Sequence, residues 1–273
     1  MTWAESLVLG IVQGLTEFLP ISSSAHQLIV ARLFWNNDGG GAAFTAVSQL
    51  GTEAAVLVYF RNDIVRIVRR WLGSVRGSVP RSDPDARMGW LVIVGTIPIA
   101  VLGVALKGVI EGPLRNLWVT ASMLVAFAIV LAIADATASQ RKELGDLSKR
   151  DGLLFGLWQA LALIPGVSRS GGTISGGLLM GYTRASAARY SFLLAVPAVL
   201  ASGLFELGDV GGTSADGWAH IALATVIAFA IGYAVIAWLM RYISSHSFRP
   251  FVYYRLGLAA FLFGMLLTDK IAA

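Results

Sequence analysis

The chain has 273 residues, of which 56% are hydrophobic and only 14% charged, with a mean hydropathy of +0.70. A soluble domain carries roughly 25% charged residues, so a soluble globular class is excluded, and the absence of cysteine excludes disulfides and thiolate metal sites. The net charge of +5 sits in short loops between apolar runs, which reads as membrane topology and not as a surface for nucleic acid.

The first element, residues 1–35, is apolar but interrupted by Pro, Ser and charge. It lacks a basic leader and carries Glu5 and Glu17, so it does not read as a cleaved signal peptide. Each half is too short for the ~20 residues a span requires. Irregular backbone at membrane depth is tolerated where protein or a cavity surrounds it, and a re-entrant helix–break–helix hairpin is therefore expected. Spans follow near 42–60, 89–107 and 117–134. A second broken apolar stretch, 152–182, is expected to form another re-entrant hairpin, followed by spans near 190–206, 218–240 and 251–268.

The links divide by charge. Residues 61–88 hold seven arginines against Asp63, Asp83 and Asp85, residues 135–151 hold Arg141, Lys142, Lys149 and Arg150, and 241–250 holds Arg241 and Arg249. The opposite links hold Lys107 and Arg115 in one and no Lys or Arg in 207–217. Lys/Arg bias places the first set in the cytoplasm, and both termini then lie outside. The predicted fold is an all-α polytopic membrane protein with six transmembrane helices and two re-entrant helical hairpins in an inverted-topology repeat. One integral membrane domain comprises a first repeat at 1–134, a cytoplasmic linker at 135–151 and a second, inverted repeat at 152–273. Such repeats place a binding site near the midplane, where broken helices meet. Trp3, Trp35, Trp71, Trp90, Trp118 and Trp218 sit near span ends and read as interface anchors.

The two breaks carry the chemistry. The first reads Gln13-Gly-Leu-Thr-Glu17-Phe-Leu-Pro20-Ile-Ser22-Ser23-Ser24-Ala-His26, and the second reads Pro165-Gly166-Val-Ser168-Arg169-Ser170-Gly171-Gly172-Thr173. At a constant spacing of 146 residues, Gly10 falls on Gly156, Gln13 on Gln159, and Ser22-Ser23-Ser24 on Ser168-Arg169-Ser170. Gln13 and Glu17 share a helix face, and His26 lies one turn beyond Ser22 and Ser23. Serines after a break are helix N-caps, and two helix starts facing each other form an anion site. Gly171 and Gly172 permit a concavity of N–H donors, and Arg169 can clamp a phosphate bidentately. Glu17 beside an oxyanion site implies a bridging cation or a proton-transfer role, and Gln13 can lend its amide oxygen to the same cation. The set describes phosphoryl transfer or hydrolysis, with Ser23 attacking or orienting water and His26 or Glu17 as base. Bland readings stand beside this one: serines bonded to their own helix, and a structural ion pair between Glu17 and Arg169. Glu53, four residues after Gln49, reads as support for the site.

These motifs resemble the (Glu/Gln)-x-x-x-Glu and Pro-Gly-x-Ser-Arg-Ser-x-x-Thr motifs of the undecaprenyl-diphosphatase family, the bacitracin-resistance type of membrane phosphatase, across essentially the whole chain. The resemblance implies hydrolysis of undecaprenyl diphosphate to the monophosphate and inorganic phosphate, recycling a carrier lipid for cell-wall synthesis and conferring bacitracin resistance. It implies a site opening to the periplasmic face of the bacterial plasma membrane and a divalent cation, Mg²⁺ or Ca²⁺. Glu17 and Gln13 match the acidic motif, Ser23 and His26 the nucleophile and base, and Ser168, Arg169, Ser170, Gly171, Gly172 and Thr173 the diphosphate loop. Gln13 stands where Glu is also found, removing one anionic ligand, and Ser24-Ala25 stands where Thr-Gly is common. The resemblance is compatible with a homodimer. Inverted repeats also build secondary transporters, so a lipid-phosphate or anion transporter, or a flippase, is the rival expectation.

Overall fold

The computed structural model describes residues 1–209 and 215–272, and among them the regular elements are helices. The basic-residue-free link expected at 207–217 lies in part outside the described residues, at 210–214. The order is α1 (Trp3–Thr16), α2 (Ser23–Trp35), α3 (Gly41–Tyr59), α4 (Arg61–Val75), α5 (Pro84–Ala105), the short α6 (Lys107–Glu111) and α7 (Leu117–Thr137). Then come α8 (Lys149–Ala160), α9 (Arg169–Leu179), α10 (Arg184–Asp209), α11 (Ala215–Tyr242) and α12 (Arg249–Leu267). Helix starts follow local chemistry. Thr2 with Glu5 and Ser148 with Asp151 form capping boxes on α1 and α8, and Asp83 caps α5 ahead of Pro84.

Among the described residues, five helices are long and apolar enough to cross a membrane: α5, α7, α10 over Arg184–Glu206, α11 from Gly217, and α12. Helix α3 is 19 residues long and carries Ser48, Gln49, Thr52 and Glu53 on its way through the bundle. Between α3 and α5, 61–75 is a helix and not the loop its arginines suggest. Its inner face, Ile64, Ile67, Trp71 and Ser74, recurs every three or four residues and is turned toward the protein. Trp71 packs edge-on against Trp90, with ring centroids 5.6 Å apart, so it joins α4 to α5 and does not serve as a free anchor.

The packing pairs related elements. Helix α1 lies against α11 and α8 against α5, while α3 and α10 pack on each other and α7 on α12. A Cβ on Gly10 would stand 2.7 Å from the carbonyl oxygen of Ala224, and one on Gly156 would overlap that of Gly95. The two related glycines thus let their helices close to backbone contact. A second pair of related contacts ties α2 to α3 and α9 to α10: Thr45 donates to Gln27 at 3.2 Å, and Thr173 shares a hydrogen bond with Ser191.

The basic links converge at one end. Arg189 pairs with Asp63, Arg87 donates to the Leu147 carbonyl, and Asp135 receives both Arg184 Nε at 2.6 Å and the backbone N–H of Phe248 at 2.9 Å. These bonds tie 61–88, 135–151 and 241–250 together. At the same end Asp151 accepts from the Tyr182 hydroxyl at 2.8 Å and faces Lys142 at 3.6 Å. Burial alone would raise the Asp151 carboxyl, but the bonds from Tyr182 and Ser148 and the Lys142 charge outweigh it and hold it below its ordinary value. A depressed carboxyl stabilises the fold above its unfolded pKa and loses that contribution as pH falls through the folded one. Asp151→Asn is therefore expected to cost about 1–2 kcal/mol near neutrality. In thermal melts, the gap between native chain and variant should close as pH drops below about 4. A gap that stays constant across that range would assign the loss to packing instead.

Candidate active site

The two breaks are built alike. Helix α1 ends at Thr16 and α2 restarts at Ser23, while α8 and a single 3₁₀ turn end at Leu163 and α9 restarts at Arg169. The N-caps are Ser22 and Ser168, with φ of 74° and 73°. Non-glycine residues pay about 1–3 kcal/mol for such backbone, and it persists where the surroundings impose it, often at functional sites. Each capping hydroxyl accepts from the third residue on: Ala25 N–H at 3.4 Å and Gly171 N–H at 3.1 Å.

Glu17 is the hub. It caps α1 from within the turn, 8% exposed, and both its oxygens are engaged. Oε2 accepts from the Ser23 hydroxyl at 2.6 Å and from the Gln13 amide at 2.8 Å, and Oε1 takes the Arg169 guanidinium. Gln13 also donates to Thr52 of α3 at 3.4 Å and accepts from Gln27. The structure therefore brings Gln13, Glu17 and Ser23 of the first break and Arg169 of the second into one hydrogen-bonded group. Ser170 adds a direct tie, donating to the Leu19 carbonyl of the other break at 3.0 Å.

Other expected members stand apart from that group. His26 makes no hydrogen bond with Ser23. Its Nδ1 faces the Ser22 carbonyl at 2.7 Å, an acceptor only, so Nδ1 carries the proton, and in the neutral ring Nε2 accepts from the Tyr254 hydroxyl at 2.7 Å. The two rings stack within 8° of parallel. Thr173 is fully buried against Ser191 of α10. The N–H groups of Gly171 and Gly172 are held inside the turn by the hydroxyl and carbonyl of Ser168. The donors left open at the two helix starts are those of Ser23, Ser24, Arg169 and Ser170. Both glycines sit in tight surroundings: a Cβ on Gly171 would meet Ser168 at 3.0 Å, and one on Gly172 the Trp158 carbonyl at 3.0 Å.

Two side chains, Arg255 and Tyr254, escape motif reading, and Glu53 is a further buried group near the site. Arg255 of α12 is 0% exposed and donates only to backbone carbonyls: Pro20 of the first break, Gly166 and Val167 of the second, and Met123 and Leu124 of α7. It is the keystone that sets the breaks against each other. Tyr254, its neighbour, occupies His26. Glu53 of α3, 2% exposed, has an Oε1 with no hydrogen-bond partner and lies within electrostatic reach of Arg169 and Glu17. A charge in an apolar span was the available signal for Arg255 and Glu53, since such groups are rare and functional there.

Among the described residues, no cluster of three or more His, Asp or Glu could hold an ion alone. A cation that shares its shell with phosphate oxygens needs less, one or two carboxylates. Glu17, the Gln13 amide oxygen and the unpartnered Glu53 oxygen are a donor set of that kind. Chemically, the group joins a hydroxyl poised to lose its proton, a carboxylate to take it and a guanidinium for an oxyanion.

Comparison with known proteins agrees over the whole chain. Residues 6–261 match the family described as Bacitracin resistance protein BacA. The chain is 58% identical to the Undecaprenyl-diphosphatase of Micrococcus luteus over 277 residues, covering 100% of both chains. It is 60% identical to Undecaprenyl-diphosphatase 2 of Streptomyces coelicolor over 271 residues, 94% of this chain and 92% of that one. It is 58% identical to Undecaprenyl-diphosphatase 2 of Streptomyces avermitilis over 285 residues, 100% of this chain and 97% of that one.

Proposed function

The chain belongs to the bacitracin resistance protein BacA family, and on that footing we propose that it hydrolyses undecaprenyl diphosphate to undecaprenyl phosphate and inorganic phosphate. Carrier lipid for cell-wall synthesis is thereby recycled and bacitracin resisted. The observation that carries the reading is the Glu17 carboxylate, which holds the Ser23 proton at 2.6 Å on one oxygen and the Arg169 guanidinium on the other. The three relatives named above bear a hydrolase's name, and the transporter reading finds no support among them.

In the proposed reaction Arg169 exchanges Glu17 for the terminal phosphate, assisted by the open N–H groups of both helix starts. The Ser23 oxygen attacks the terminal phosphorus and its proton passes to Glu17. The bond to the bridging oxygen breaks, and the lipid monophosphate leaves. Water then attacks the phosphoserine. With the Tyr254 hydroxyl turned away, the water's proton passes to His26 Nε2, one helical turn along, and on to solvent, and Ser23 recovers its own from Glu17 as phosphate departs. A divalent cation, Mg²⁺ or Ca²⁺, held by Glu17, Gln13 and Glu53, would offset the charge of the diphosphate.

The architecture proposed around this site is six spans, with α3 as the sixth, and two re-entrant hairpins, α1–α2 and α8–α9, in an inverted-topology repeat. The matched Ser22 and Ser168 backbones, the matched close approaches at Gly10 and Gly156 and the matched ties at Thr45 and Ser191 support it. The convergence of the basic links supports a cytoplasmic end there and a site reached from the periplasmic side in the plasma membrane.

The test is phosphate release by the purified chain in detergent with Mg²⁺ and a polyprenyl diphosphate. Release is expected, and its absence from folded protein would overturn the assignment. His26→Ala is expected to lower kcat about a hundredfold, within the range for one acid–base group, and to accumulate phosphoenzyme. Loss without accumulation would remove His26 from the return step.

A further inference from the structure

Away from the site, the outer face of α4 is unassigned. Val65, Val68, Leu72 and Val75, spaced three or four residues apart, are 46%, 44%, 36% and 57% exposed and form a stripe beside the one that packs inward. Next to it runs a groove of about 400 Å³ lined by Arg61, Asn62, Val65, Arg66, Arg69 and Arg70. Two of these arginines are answered by carboxylates: Arg66 by Asp85 and Asp63, and Arg70 by Asp83. Arg61 donates only to the Val58 carbonyl, and Arg69 has no partner among the described residues. An exposed apolar stripe bordered by uncompensated arginine, on a helix joining α3 to the span α5, is the pattern of a helix lying in the membrane interface. Guanidinium groups select phosphate, and a stripe beside them suits an acyl chain.

We infer that α4 binds an anionic phospholipid, with its headgroup phosphate on Arg61 and Arg69 and an acyl chain along Val65, Val68 and Leu72. Charge complementarity chooses this occupant. A zwitterionic lipid brings an ammonium group to an edge that is already cationic, and a soluble phosphate leaves the apolar stripe unexplained. Neither this site nor its occupant depends on the hydrolysis proposed above.

The test uses the full chain in neutral detergent, with lipid retention read by native mass spectrometry. The probes are phosphatidylglycerol, phosphatidylcholine of the same acyl chains, and glycerol phosphate. Phosphatidylglycerol should be retained in preference to phosphatidylcholine, and Arg61→Gln with Arg69→Gln should weaken it about 30-fold, the loss of two arginines at an anionic surface. Phosphatidylcholine retention should not change. Val68→Ser with Leu72→Ser should weaken phosphatidylglycerol several-fold with the arginines intact. Phosphate release by the arginine variant in detergent should match that of the native chain, which separates this site from the catalytic group. Equal retention of the two lipids, or unchanged retention by the arginine variant, overturns the inference. Displacement of the lipid by equimolar glycerol phosphate overturns it in favour of a soluble anion. Should the double variant lose helicity, Arg69→Gln alone, an exposed and unpaired position, carries the test with an expected loss of roughly fivefold.

Discussion

Glu17→Gln is expected to reduce kcat/KM for phosphate release by roughly a thousandfold, the upper range for losing a group that acts on developing charge. The carboxylate accepts from Ser23, Gln13 and Arg169 at once. An amide offers one acceptor oxygen and turns an NH₂ toward a partner that also donates, so at least one of the three bonds becomes a donor–donor contact. The proton on Ser23 then has no base at 2.6 Å, and the Arg169 charge has no counterion. Because Ser23 and Glu17 act as a pair, Ser23→Ala should cost about as much, and the double variant little more than either alone. Independent, multiplicative losses would mean that the hydroxyl and the carboxylate serve separate steps. A Glu17→Gln activity within tenfold of the native chain would remove Glu17 from proton transfer.

Arg255→Met is expected to have the larger effect on the fold. It deletes the side-chain donor to the carbonyls of Pro20, Gly166 and Val167, and a second donor to those of Met123 and Leu124, which keep their bonds inside α7. Each buried acceptor left unpaired costs about 1–3 kcal/mol, a sum comparable to the whole stability of a domain, so the variant should fail to accumulate as folded protein. Arg255→Lys is the informative substitution. Three rotatable donors replace five fixed ones, which holds the helices together while letting the breaks drift. A misplacement of about 1 Å far from the reacting atoms can cost a hundredfold. The Lys variant should therefore melt as a folded protein and bind substrate with little change in KM, but lose about a hundredfold in kcat. A melting loss with unchanged kcat would make Arg255 a strut and nothing more.

The candidate site was legible in the sequence to the extent that it is local. Gln13 and Glu17 share a helix face, Ser22 and Ser168 follow their breaks, and the two copies keep register, all within short windows. What was not legible is what crosses the chain. Arg255 reaches Pro20 over 235 residues, and Tyr254 reaches His26 over 228, and no periodicity carries information over that distance. Composition misled at 61–75, where arginines hid a helix whose inner face needs only Ile64, Ile67, Trp71 and Ser74 to dock. At Gly171 and Gly172 the residues were noticed for permissive backbone, and the structure adds close neighbours, Ser168 and the Trp158 carbonyl, that a side chain there would press against. Conformational freedom and lack of room leave the same letter in a sequence.

The position of Arg255 along the chain has a bearing on synthesis. Membrane helices are made in order, and each part settles as it emerges. The Glu17 and Arg169 segments are both complete long before α12 leaves the ribosome, yet the guanidinium that joins their two turns arrives only with α12. A nascent chain therefore carries Glu17, Ser23 and Arg169 before the side chain that aligns their two turns, and the site is complete only once α12 is inserted.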